Sequence, residues 1–301
     1  MSGGMKASLD CIPCFIRQSL DAARMVSGDP AVHERILREV LGWSRDIELS
    51  DPPPVLGQRI HKFLRETSGA DDPYRAVKDR LNRMAMSLLP GLRDDVESSP
   101  DPLAMAVRLA IAGNVIDMGA RDSVTEEDVR RSIDDALAGT LAGDYDRFRR
   151  SAAESRSILY LGDNAGEIVF DHLLVEQLPR GRVTFVVRGS PVINDATLAD
   201  ARATGLDEIV KVIDNGSDAP GTLLEHCSPE FRCCFDDADM IIAKGQGNFE
   251  SLSEVPRNIF FLFKVKCPVI GGRVGLPVGT NVLLAQSDIR LRNDGASREI
   301  S

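Results

Sequence analysis

The sequence predicts an α/β fold: a mainly parallel, Rossmann-like sheet with helices on both faces, preceded by an all-helical N-terminal domain. Two observations predict it. Before about residue 155, apolar residues recur at helical spacing, as in Ile36, Val40 and Trp43, with hardly a β-branched run. Beyond it, short β-branched or aromatic runs alternate with helical stretches, the pattern of strands joined by crossover helices. The expected division is a helical cap domain over 1–154 and an α/β domain over 155–301.

In the first half, Gly28-Asp29-Pro30, Asp51-Pro52-Pro53-Pro54, Asp71-Asp72-Pro73 and Ser99-Pro100-Asp101-Pro102 are turn clusters. In each, Pro suits a first helical turn and Asp or Ser suits its cap. Ser123-Val124-Thr125-Glu126-Glu127 suits the start of a helix through Val129, Ile133 and Leu137. In the second half, strands are expected at 157–161, 183–187, 208–213, 240–243 and 259–263, and a weakly ordered tail at 288–301. No internal repeat or low-complexity segment interrupts this order.

Composition narrows the function classes. The 301 residues are 43% apolar and 27% charged, enough to bury a large core without disulfide or metal staples. Lys plus Arg number 36 and Asp plus Glu 46, and the resulting net charge of −10 opposes loose binding to nucleic acid or anionic lipid. No apolar run has the length of a membrane span, and the N-terminus shows neither a signal-peptide core nor a Gly at position 2. A cytoplasmic protein is expected, with its six unevenly spaced cysteines reduced and a homo-oligomer left open. Cys227, Cys233, Cys234 and Cys267 are expected in the core, as are His33, His61, His172 and His226.

In an open α/β sheet, ligands bind beyond the carboxyl ends of the strands, so the residues just past each strand decide the chemistry. The first expected strand leads into Gly162-Asp163-Asn164-Ala165-Gly166-Glu167 and the second into Arg188-Gly189-Ser190-Pro191-Val192-Ile193-Asn194-Asp195-Ala196-Thr197. The third ends in Asp214-Asn215-Gly216-Ser217 and the fourth in Lys244-Gly245-Gln246-Gly247-Asn248-Phe249-Glu250. A parallel sheet brings all four to one rim. Asp163, Asn164 and Asp195 are hard oxygen donors suited to a divalent ion such as Mg2+ or Mn2+, which commonly serves a phosphate. Lys244, with glycines that admit backbone N–H groups, is the matching phosphate clamp. Phosphoryl transfer or phosphate-ester hydrolysis is the chemistry indicated by the four strand ends together, although each motif alone is more often a helix cap or a turn.

Competing motifs are absent or misplaced. No P-loop segment occurs, the turn at 162–166 lacks the three-glycine dinucleotide fingerprint, and Asp237-Ala238-Asp239 precedes its strand and so lies at the wrong end of the sheet for a nucleophile.

Together with the N-terminal Leu9-Asp10-Cys11-Ile12-Pro13-Cys14-Phe15, Gly113-Asn114-Val115-Ile116-Asp117 and Asp239, these segments resemble the damage-control phosphatase family, also known as domain of unknown function 89, in its short stand-alone branch with an N-terminal C-x-x-C. The resemblance runs from Cys11 to about Asn281. It implies a helical region packed on an α/β domain and metal-dependent removal of phosphate from small metabolites, particularly sugar phosphates. It also implies Asp163, Asn164 and Asp195 as ligands of a divalent ion (Mg2+, Mn2+, Co2+ or Ni2+), with Asp163, Asp195 and Lys244 catalytic. Substrate contacts are expected from Asn114, Asp117, Arg188, Lys244, Gly245 and Asn248, with segment 71–78 a further source from the cap. Attack by Asp163 and attack by metal-bound water stay open. Two rival readings are an S-adenosylmethionine-dependent carboxyl methyltransferase using the same rim and a non-catalytic metal or redox module centred on Cys11 and Cys14. One C-x-x-C is half a zinc site, and small apolar packing is its ordinary explanation.

Overall fold

A computed structural model of the chain describes residues 3–113 and 125–289. Five helices lead: α1 (Cys11–Val26), α2 (Pro30–Arg45), α3 (Pro53–Ser68), α4 (Arg75–Ser98) and α5 (Pro102–Ala112). Pro30, Pro53 and Pro102 each open a helix, where a missing N–H costs nothing, and Asp29 and Asp101 cap theirs by accepting backbone N–H groups. Helix α6 (Glu126–Ala138) starts from a capping box between Thr125 and Asp128.

The rest alternates: β1 (Leu141–Gly143), α7 (Tyr145–Glu154), β2 (Ile158–Leu161), α8 (Glu167–Gln177), β3 (Val183–Val187), α9 (Leu198–Ala203), α10 (Leu206–Ile209), β4 (Lys211–Asp214), α11 (Pro229–Asp237), β5 (Met240–Lys244), α12 (Gly245–Leu252), β6 (Ile259–Lys264), α13 (Pro268–Val274) and β7 (Asn281–Ala285). The strands form one sheet in the order β1-β7-β6-β5-β2-β3-β4, with every pairing parallel except β6 with β7.

Strand side chains alternate between two apolar layers. Ile158, Tyr160, Phe185, Ile242 and Leu262 face a layer that also holds residues of α4 to α10, whereas Leu159, Leu161, Val186, Ile241 and Phe261 face α11, α12 and α13. Helices therefore cover both faces, as a parallel sheet requires. Helices α1 to α3 build a third cluster around Ile36, Val40, Ile60 and Leu64, and the first layer runs without a break across residue 154.

Several details differ from the sequence reading. Strand β1 interrupts the half expected to be all helical; it is an edge strand of three residues, Leu-Ala-Gly, held by pairing with β7 rather than by any β-branched run. Strand β4 starts at Lys211, because 206–209 close a helical turn first. Asp288 pairs with Arg147 and Ile289 is buried, so the expected tail is anchored at its start; 290–301 lie outside the described residues. His226 and Cys233 are exposed rather than in the core, and His226 instead hydrogen-bonds Gln58. No helix among the described residues is long and apolar enough to cross a membrane.

Candidate active site

Strand β2 has β3 on one side and β5 on the other, so the chain leaves it in one direction and returns on the opposite side. Such a reversal opens a crevice at the carboxyl ends. The loop after β2 and the loop after β3 zip together across it. Ala196 N–H donates to Asp163 O and Ala165 N–H donates to Asn194 O, each at 2.8 Å, and Asn164 pairs with Asp195 as an isolated antiparallel bridge. Backbone pairing, rather than any side-chain attraction, thus brings the three expected metal ligands together.

All three are buried. Asn164 Nδ2 donates to Asp163 Oδ2 at 2.9 Å and to Glu167 Oε2 at 3.1 Å, which leaves its oxygen as the group a cation can use. Arg188 lies between the carboxylates: Nε donates to Asp195 Oδ2 at 2.7 Å, and Nη2, which makes no hydrogen bond, is 3.7 Å from Asp163 Oδ1. Burial pushes the Asp163 carboxyl well above its ordinary value; Glu167 and Asp195 push it the same way, and Lys266 and Arg188 oppose them. This gathering of anions in a dry crevice is what a divalent cation relieves. Among the described residues no three His, Cys, Asp or Glu side chains are grouped as metal ligands, so a cation here draws on the Asn164 amide as well as on Asp163 and Asp195. Two carboxylates and an amide are hard donors, too few to encircle a six-coordinate ion, and they leave positions for water or phosphate.

The first turn of α12, which follows β5 directly, closes the floor. Gly245 adopts φ +76° beside the Asp163 carboxylate. Asn248 Nδ2 donates to Lys244 O at 2.7 Å and to Gly162 O at 3.2 Å, while its Oδ1 accepts from Thr222 Oγ1 at 2.8 Å and Arg188 Nη1 at 3.3 Å. Gly245, Asn248 and Arg188 therefore share the crevice with the three candidate ligands.

Lys244 is placed differently from the direct phosphate clamp that the sequence suggests. Its ammonium is fully buried and its three donors are filled by Asp171 Oδ1 at 2.6 Å, Glu167 Oε1 at 2.8 Å and Ala110 O at 2.8 Å. Burial alone would lower its pKa, but Asp171 and Glu167 outweigh burial and raise it, so it stays charged. It reaches the ligand set through Glu167, which spans Lys244 and Asn164. Asp171 is pushed up to about 6, by burial foremost, and accepts the Tyr160 hydroxyl at 2.6 Å.

Sequence reasoning passed over several contributors. Glu167 and Asp171 lie four apart on α8, buried on all sides from Glu167 to Val175, and the signal for them was an i, i+4 acid pair set among Ile168, Val169, Phe170 and Leu174. Lys266, whose charge acts on Asp163, lies just past β6, the strand end that went unread. Asn82 of α4 accepts Gly166 N–H at 2.7 Å and donates to Asp200 Oδ1 at 3.0 Å. Asp200 in turn accepts from Thr197 N and Oγ1 at 2.9 and 2.8 Å and pairs with Lys78 at 2.9 Å, so Asn82 joins both ligand loops to the helical half. In segment 71–78, Asp72, Arg75 and Lys78 are held in this same network. Asn114 and Asp117 lie outside the described residues. Asp239 sits at the opposite end of the sheet, accepting the Arg156 and Ser157 N–H groups. Cys11 and Cys14 occupy the first turn of α1 as free thiols; burial raises both, and Cys267 and Glu250 add to the effect.

Residues 7–282 match the model of the damage-control phosphatase ARMT1-like domain. A damage-control phosphatase of Archaeoglobus fulgidus is 35% identical over 92% of this chain and 98% of its own length. One from Pyrococcus horikoshii is 33% identical over 93% and 98%. The crystal structure of a DUF89 family protein from Pyrococcus horikoshii superposes with a TM-score of 0.84 at 32% identity, covering 94% of this chain and 99% of that one. The chain belongs to the damage-control phosphatase ARMT1-like domain family, the DUF89 proteins.

Proposed function

We propose that the protein is a divalent-cation-dependent phosphomonoester hydrolase acting on small phosphorylated metabolites, sugar phosphates and related damaged metabolites among them. The observation that carries this reading is the zipped pair of loops that sets Asp163, Asn164 and Asp195 side by side at the sheet's switch point. These three residues would hold the cation, with Mg2+ and Mn2+ the best matches to the donors and Co2+ or Ni2+ as further candidates. When bound, the cation supplies Lewis-acid polarisation and neutralises charge on the phosphoryl group.

The chain's own residues supply the rest. Arg188, held by Asp195 on one side, turns Nη2 towards Asp163 and offers its unused N–H to a phosphate oxygen. Gly245, without a Cβ, lets the phosphate and the Asp163 carboxylate share a small volume. Asn248 fixes Arg188 and the start of α12 against Gly162. Lys244 holds Glu167 in place, and Glu167 orients the Asn164 amide. Asn114 and Asp117, outside the described residues, are assigned to the substrate on the family resemblance of their motif. A small cytoplasmic substrate, rather than nucleic acid or a membrane, suits the net charge of −10.

The test is phosphate release from a panel of sugar phosphates with EDTA or with added Mg2+ or Mn2+. Activity is expected with cation only, and Asp195→Asn should abolish it while the circular dichroism spectrum is kept. Full activity in EDTA, or in the Asp195 variant, overturns the assignment; turnover that needs a methyl donor would make the protein a methyltransferase.

A further inference from the structure

Asn194, next to Asp195, is 2% exposed, yet neither its Nδ2 nor its Oδ1 has a hydrogen-bond partner. Buried polar groups are almost always paired, and an orphan asks for an explanation. Its neighbours are better engaged: Asp195 is held by Arg188, Asn164 by Asp163 and Glu167, and Asn248 by Gly162, Lys244, Thr222 and Arg188, while Arg188 leaves Nη2 alone without a hydrogen bond and uses its other nitrogens. The Asn194 main chain is held, its carbonyl accepting Ala165 N–H across the two ligand loops. Both ends of the side-chain amide are thus unmatched in a place the backbone fixes.

A second observation comes from the preceding residue. Ile193, at φ +45°, is the one non-glycine residue with positive φ among the described residues. A β-branched side chain disfavours that region strongly. The turn it forms is closed by Asp195 N–H donating to Val192 O at 3.0 Å. Strain and an unpaired amide on adjacent residues of one loop are both costs to folding, and such costs collect where a ligand makes use of them.

The amide's own chemistry narrows the ligand. A phosphate oxygen only accepts and would satisfy Nδ2 alone; a cation would satisfy Oδ1 alone and already has three donors beside it. A hydroxyl both donates and accepts, and two neighbouring hydroxyls fill both ends of the amide. We propose that Asn194 binds hydroxyl groups on the alcohol part of the substrate and so selects hydroxyl-bearing phosphate esters over esters that lack them. The inference rests on the phosphatase reading and adds a specificity-determining residue to it.

The experiment compares hydroxylated esters, from glycerol phosphate to hexose phosphates, with p-nitrophenyl phosphate, which carries no free hydroxyl. Asn194→Leu, close in size, should lower the ratio of kcat/KM for the best hydroxylated ester to that for p-nitrophenyl phosphate by about a hundredfold, because a site that has lost its partner for a hydroxyl no longer discriminates. Its Tm should equal or exceed that of the wild type, since an unmatched amide has been replaced by an apolar group. Asn194→Ala should show the same change of ratio and serves if the Leu variant does not fold. Equal losses on both kinds of ester overturn the inference, and so does a lower Tm with the ratio intact, which would give the amide to a buried water. Wild-type protein inactive on every ester overturns the phosphatase reading and this one together, whereas an active wild type with an unchanged ratio in the variants overturns this one alone.

Discussion

A Cβ placed on Gly245 would overlap the Asp163 carboxylate. The two residues come from the ends of neighbouring strands, β5 and β2, and the space between them exists because position 245 has no side chain. Its φ of +76° adds a second reason for glycine. Gly245→Ala should push Asp163 out of the ligand set and weaken Mn2+ binding by about a hundredfold or more, the scale seen when a metal site loses its geometry. Calorimetric titration of Mn2+ measures this; wild-type affinity in the variant would remove Asp163 from the site.

Asn82 acts at one remove, through Gly166 and Asp200. Asn82→Ala leaves the Gly166 N–H and Asp200 without their partner in α4 and should weaken Mn2+ binding by roughly 10–100-fold, as loss of outer supporting contacts does. The concentration of Mn2+ needed for half-maximal phosphate release should rise in step. A folded variant with wild-type Mn2+ affinity would show that the ligand loops hold their spacing unaided.

Lys244 is predicted to matter for stability as much as for turnover. Lys244→Met leaves Glu167 and Asp171 buried without their cation, a change that costs about 3–5 kcal/mol when one member of a buried pair is removed. Urea unfolding at neutral pH checks it. A loss below about 1 kcal/mol, the scale of an exposed ion pair, would mean that water reaches the cluster.

Glu250 gives a pH signature. Burial pushes its carboxyl from 4.5 up to about 7, against the opposing hydrogen bond from Gln246 and the charge of Lys266. Between those values the folded protein retains a proton that the unfolded chain releases, so this group's contribution is fully present below 4.5 and is lost as pH rises through about 7. Glu250→Gln removes that dependence. Above pH 7 the variant should be more stable than the wild type by about 2 kcal/mol, and the difference should shrink on acidification. Thermal melts from pH 5 to 8 report it, and a constant difference across that range would contradict the raised carboxyl.

Strands β2, β3, β5 and β6 were legible because each is a β-branched or aromatic run between turn residues. Strand β7 was not, since Val282-Leu283-Leu284 suits a helix equally, and its antiparallel pairing with β6 is decided by the sheet. The candidate ligands could be read because they lie just past strand ends, which topology alone brings to one rim. The residues that hold them could not. Asn82 and Gly166 are 84 positions apart, and Lys244 looks like a free basic residue until α8 supplies its two acids. Local pattern reports where a side chain is attached; the bond it makes depends on what the fold lays beside it.

The Asn82 amide, seated on the turn that leads into α8, makes the helical half more than a cover. Cutting the α/β half free, or grafting it into another protein, would carry away every candidate ligand and leave behind the strut that Gly166 and Asp200 both lean on. Inheritance of the candidate site should accordingly be all or nothing, the two halves travelling together as one indivisible unit.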